Sequence, residues 1–153
     1  RLVHLPRLSE KNDEGSAALE FIAVGVILLV PLIYLVIALG AIQEQTLGAE
    51  AAARHVARVV ARAPDATTAA ERSDAVLAGI VDEYGLDEEA VNLTIACTPR
   101  AVECPSAGAT IVVTVTTSVR LPLVPEMLGL DRSTAVPVQA EAVQKVSRLW
   151  GAE

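Results

Sequence analysis

The chain has 153 residues, of which 52% are hydrophobic and only 3% aromatic, and its 12 basic and 19 acidic side chains leave a net charge of −7. This length fits one domain with an appendage. The acidic balance argues against a nucleic-acid ligand, and such hydrophobicity with only 20% charged residues argues against a disordered chain. Alanine alone accounts for 26 residues, and the aromatics are Phe21, Tyr34, Tyr84 and Trp150. A soluble core built on so few large side chains would be thin, so much of the apolar content must lie elsewhere. The charge is uneven as well. Residues 1–15 and 16–63 each carry three bases and three acids, whereas residues 64–153 carry six bases and thirteen acids. The whole excess of acid belongs to the last part, which reads as a solvated domain.

Phe21 to Ile42 is a run of 22 residues without a charge, FIAVGVILLVPLIYLVIALGAI. At ~1.5 Å per residue a helix of that length covers about 33 Å, enough to cross a bilayer core. A soluble helix is seldom apolar on every face. Pro31 stands in the middle of the run, where lipid leaves the backbone no better choice than helix. A cleaved secretory signal is the rival reading, with small residues at Ala38 and Gly40 before Ala41. The run is longer than the ~7–15 residues of a signal core. Arg1, Arg7 and Lys11 before the span balance Arg54, Arg58 and Arg62 after it, so basic residues do not fix its orientation. The short N-terminal tail and the position of both cysteines favour a cytoplasmic N-terminus and an extracytoplasmic C-terminal head.

Residues 43–63 continue with strong helix formers, and apolar positions 49, 52, 53, 56, 59, 60 and 63 keep helical spacing. One helix from about Ala17 to Ala63 is expected, with its end at Pro64-Asp65. A second helix should open at Thr68, because Thr68-Ala-Ala-Glu71 matches a capping box, and close at Gly85. Val76, Leu77, Ile80, Val81 and Tyr84 form its apolar face. Asp87, Glu88 and Glu89 read as a solvated turn, and three adjacent acids make a poor Ca²⁺ loop.

Three strands should follow: Val91–Cys97, Thr110–Leu121 and Ala135–Val146. Their inward faces would carry Val91, Leu93 and Ile95, then Ile111 through Val119 at every second position, then Val136, Val138, Ala140 and Ala142. Pro137 cannot donate a ladder bond, which places the third strand at an edge or starts it one residue later. The expected fold is α+β. A long transmembrane helix continues into an extracytoplasmic helix, followed by a shorter helix and a small antiparallel three-stranded sheet. Residues 1–15 would be a cytoplasmic leader, 16–63 the long helix with its span at about 21–42, and 64–153 the head.

Cys97 and Cys104 flank one short loop, which fits a disulfide in an oxidising compartment, with two free thiols as the alternative. No further Cys or His stands near them to complete a zinc site. His4 lies on the tail and His55 between arginines on the long helix. No Ser–His–acid set, Cys–His pair or Gly-rich phosphate loop is visible, so neither an enzyme nor a cofactor is expected. Asn92-Leu93-Thr94 matches a glycosylation sequon, a short pattern that chance often produces.

The stretch that bears most on function is Gly15-Ser16-Ala17-Ala18-Leu19-Glu20-Phe21, where a carboxylate opens the apolar span. A bland account has Ser16 capping the helix and Glu20 facing the positive end of its dipole. An acid at the mouth of a membrane segment is also costly and often functional.

The pattern GSAALEF followed by an uncharged span resembles the class III signal of type IV prepilins and pseudopilins. With LGAEAAARHVARVVARAPD and a small strand-rich region behind it, the chain is similar to the TadE-like family, pseudopilins of tight-adherence (Flp) pilus systems. The likeness is strongest over residues 13–65. It implies cleavage by a prepilin peptidase after Gly15, Ser16 as the new N-terminus, and Glu20, next to Phe21, as the carboxylate that neutralises a neighbour's amino terminus during assembly. Asp13-Glu14 stand where such leaders usually carry bases. The implied partners are membrane lipid and other pilin-like or pilus-assembly subunits, and the implied place is a single-pass position in the cell membrane. A single-pass anchored, extracytoplasmic binding domain is the alternative, and it needs neither Gly15 nor Glu20.

Overall fold

The computed structural model describes residues 13–99, 104–122 and 135–150. The expected leader, residues 1–15, falls mostly outside them. The elements are α1 (Asp13–Arg62), α2 (Ala66–Tyr84), β1 (Asn92–Thr98), β2 (Thr110–Val119) and β3 (Val136–Lys145), an α+β order. The chain divides into two compact units, Arg1–Ile37 and Ala38–Glu153.

Within the first unit the described chain is helix alone. It is assigned without interruption through Pro31, and its large apolar side chains stand exposed. Among the described residues one helix, Ala17–Arg62, is long and apolar enough to cross a membrane, and it lies near the N-terminus. The helix already includes Asp13, so Ser16 sits within it and is not its N-cap.

The second unit packs α2 and one face of the sheet on the remainder of α1. Small side chains make that possible. Ala49, Ala52, Ala53, Val56, Ala57 and Val60 of α1 are buried and let neighbouring backbones come close. Val59, expected inside, is half-buried, while Ala57 and Ala61 are inside. One close approach is at Gly48, where an added Cβ would lie 2.9 Å from Tyr84 Cβ and 3.0 Å from Leu86 Cδ2.

Helix α2 begins two residues before the expected start. Asp65, not Thr68, is its N-cap: the Asp65 carboxylate accepts from Thr68 N at 2.7 Å and from Thr68 Oγ1 at 2.8 Å. The Thr68 hydroxyl is thus engaged with Asp65 and opens no capping box of its own. Of the expected apolar face only Ile80 is buried, joined by Ala69 and Ser73. Ser73 can be buried because its hydroxyl donates to Ala69 O at 2.7 Å. Gly85 closes the helix in the left-handed conformation, φ 59°, donating to Val81 O.

The Thr68 backbone N–H holds the Asp65 carboxyl below its ordinary pKa, helped by the Thr68 hydroxyl. A lowered carboxyl pKa favours the fold above the unfolded value and loses that effect as pH falls through the folded one. Asp65→Ala should therefore lower the melting temperature at neutral pH, with the difference from the parent shrinking as the carboxyl protonates. Asp65→Asn, which keeps one acceptor oxygen, should lose less. Thermal melts across the acid range would check both, and equal melting of Asp65→Ala and parent at neutral pH would remove Asp65 as a cap.

The sheet order is β1-β2-β3, antiparallel throughout. Alternation sets its register: Ile111, Val113, Val115, Thr117 and Val119 face inward and are buried. Cys97 pairs with Ile111, and Val138 with Thr117. β3 is an edge strand, and Pro137 pairs with Ser118 there. Beyond β3, Val146 N donates to Ala109 O at 2.8 Å. Trp150 Nε1 donates to Ala63 O. These two bonds fasten the segment after β3 to the loop before β2 and to the end of α1.

Candidate assembly site

In the first unit Glu20 lies on α1 with its side chain in the open, and Phe21 beside it is 82% exposed. Leu19, Ile22, Val24, Ile27 and Leu28 are each at least half exposed. An exposed apolar surface of this extent marks a protein or membrane interaction site. At helical spacing, Ala23, Val24 and Ile27 share the Glu20 side of α1, so the carboxylate heads an otherwise apolar stripe. Neither Gly25 nor Gly40 has a neighbour within 4 Å of its would-be Cβ, so both leave shallow notches in the helix surface. Small residues of this kind let membrane helices approach one another. Gly15 and Ser16 lie in the first turns of α1 by backbone assignment.

In the second unit the cysteines do come together. Cys97 at the end of β1 and Cys104 before β2 are bonded, with Cα atoms 5.8 Å apart. The pair closes the loop between the two strands and leaves no free cysteine. A cross-link over so short a loop restricts the unfolded chain by about 2–3 kcal/mol where it is unstrained.

His55 is exposed on α1. Among the described residues no group of three or more His, Cys, Asp or Glu side chains is placed to hold a metal ion. Asp87, Glu88 and Glu89 do form a turn. Asp87 accepts from Glu89 N at 3.2 Å and pairs with Arg120 at 2.7 Å.

Two features escaped the sequence. One is a cavity of about 490 Å³ walled by Arg58, Arg62, Lys145 and Arg148. The other is a groove of about 360 Å³ bordered by Asp74, Asp82 and Glu88. The i,i+4 step of Arg58 and Arg62 was visible, but nothing local says that β3 ends beside them. The chain matches no family model, no curated protein and no solved structure.

Proposed function

We propose that the chain is a TadE-like pseudopilin, a non-enzymatic membrane-inserted component of a tight-adherence pilus or a related secretion assembly. The observation that carries this reading is Glu20, an exposed carboxylate at the head of an exposed apolar helix, five residues after Gly15. A lone carboxylate entering lipid needs a positive partner. The amino group created by cutting between Gly15 and Ser16 of a neighbouring subunit supplies one. The N-terminal residues are cytoplasmic in this scheme, α1 crosses the membrane over about 21–42, and the disulfide-closed head is extracytoplasmic. A prepilin peptidase is the processing enzyme, and other pilin-like chains are the assembly partners.

The test is the N-terminus of the chain extracted from membranes of a host with an active prepilin peptidase. Mass spectrometry should find a polypeptide beginning at Ser16, and Gly15→Leu should leave the leader attached. Recovery of only the uncleaved parent chain would refute processing at this bond.

A further inference from the structure

The last ninety residues are acidic overall, yet two of their bases join two from the end of α1 at one place. Arg58 and Arg62 from the last turns of α1 meet Lys145 at the end of β3 and Arg148 just beyond it around one cavity. Its floor holds Ala61 and Val146, both buried. The bond from Trp150 Nε1 to Ala63 O ties the segment that carries Arg148 to the end of α1, and the bond from Val146 N to Ala109 O fastens that segment to the sheet. Cations near a helix C-terminus favour its dipole, which accounts for Arg58 and Arg62. It does not account for Lys145 and Arg148 on the facing wall. The ion pairs among the described residues are Arg54–Glu50 and Arg120–Asp87, and none of the four cations takes part in either. Among the described residues no acid lines the cavity.

A cavity of about 490 Å³ lies within the roughly 300–1,000 Å³ of sites for drug-sized ligands, far more than one small ion fills. Its complement is on the same molecule. The groove along α2 sets the exposed Asp74, Asp82 and Glu88 around half-buried Leu77, Val81 and Val91. None of these three acids is in an ion pair among the described residues. One patch offers four bases over an apolar floor, and the other offers three acids over an apolar floor.

We infer that the basic cavity of one head receives the acidic edge of α2 from a second copy of this chain. The two patches are different surfaces, so the contact is head-to-tail and extends into rows unless the rotation closes a ring. Charge complementarity sets partner and register, and salt weakens it. The contact lies wholly between heads and needs neither Glu20 nor cleavage at Gly15.

Full-length chains, half of them isotopically heavy, are mixed in detergent micelles and treated with a carbodiimide, which joins amines to carboxylates with no spacer. Heavy–light peptide pairs should link Lys145 to Asp74, Asp82 or Glu88, with a yield that falls about fivefold between roughly 30 and 300 mM salt. Arg58→Glu with Arg62→Glu should abolish the pairs, although Lys145 remains available. Mixing that variant with a chain carrying Asp74→Lys and Asp82→Lys should restore association, read as comigration of the heavy and light chains. Glu20→Ala should leave the Lys145 pairs in place, which separates this contact from packing of the membrane helices. Absence of heavy–light pairs, or pairs indifferent to the two arginine reversals, would overturn the contact. So would saturable binding of inorganic pyrophosphate or phosphatidylglycerol vesicles at the cavity without any heavy–light pair, which would assign it to phosphate groups.

Discussion

Gly48→Leu should destabilise the head by about 3 kcal/mol or more, the upper end of what overpacking costs. The site has no slack. A Cβ at Gly48 would already meet Tyr84 Cβ at 2.9 Å and Tyr84 Cγ at 3.1 Å, and these atoms lie at the root of a side chain that ends α2. Moving them means moving the turn from Tyr84 to Leu86, and Leu86 is itself buried in the core. A better helix former at this position returns at most about 1 kcal/mol, so the steric term decides the sign. Gly48→Ala should destabilise less than Leu but still lower stability, because its Cβ alone meets Tyr84 Cβ at 2.9 Å. Gly79 supplies the control: it sits inside α2 with no atom within 4 Å of its would-be Cβ. Gly79→Ala should therefore stabilise by about 0.5–1 kcal/mol. Urea unfolding of the full chain in detergent would read both signs. A Gly48→Leu variant as stable as the parent would show that α2 does not pack against α1 at this point.

On the proposed pseudopilin role, Glu20→Ala should leave synthesis and membrane insertion intact while incorporation into the assembly falls at least tenfold. The two outcomes separate because the substitution acts oppositely on them. Removing a charge from the mouth of an apolar span makes insertion easier, by as much as about 2.5–3.5 kcal/mol for an acid at the helix centre and less near the interface. Packing loses its charge partner, and each 1.4 kcal/mol lost in that contact is tenfold in association. Glu20→Gln keeps the shape and hydrogen-bonding capacity but not the charge, so it should resemble Ala if charge pairing is what matters. The measurement is the ratio of assembled to membrane-resident chain in the native host. Unchanged assembly in both variants would leave Glu20 as an ordinary residue at a helix start and favour the simple membrane anchor.

Much of the head was legible because it rests on short-range periodicity. Alternation placed each strand within two residues of its observed ends, and Pro137 called for an edge position or a later start, of which β3 shows the edge. The start of α2 was not legible for a definite reason. Asp65 and Thr68 both precede helix formers, and Pro64-Asp65 read as the end of one helix, whereas Asp65 also begins the next. Nothing local marks Gly48, since its neighbour Tyr84 is brought there only by the tertiary fold. The basic cavity was hidden in the same way, as its walls come from the end of α1 and the end of β3. The Gly15–Phe21 stretch behaves in the opposite manner. Its carboxylate and the apolar run behind it were visible in the sequence, and the structure adds the exposure of Glu20, Phe21 and the apolar side chains after them.

The bond from Trp150 to Ala63 gives the molecule an internal gauge. Trp150 is the only tryptophan in the chain, and its indole is held against the last turn of α1. Its emission therefore reports whether the segment after β3 remains docked there. Unfolding the head should shift that emission to the red, with Tyr34 in the apolar helix contributing little to the signal. A ligand or a second head entering the cavity beside Arg148 should perturb the same fluorophore, so one optical channel can follow both stability and contact.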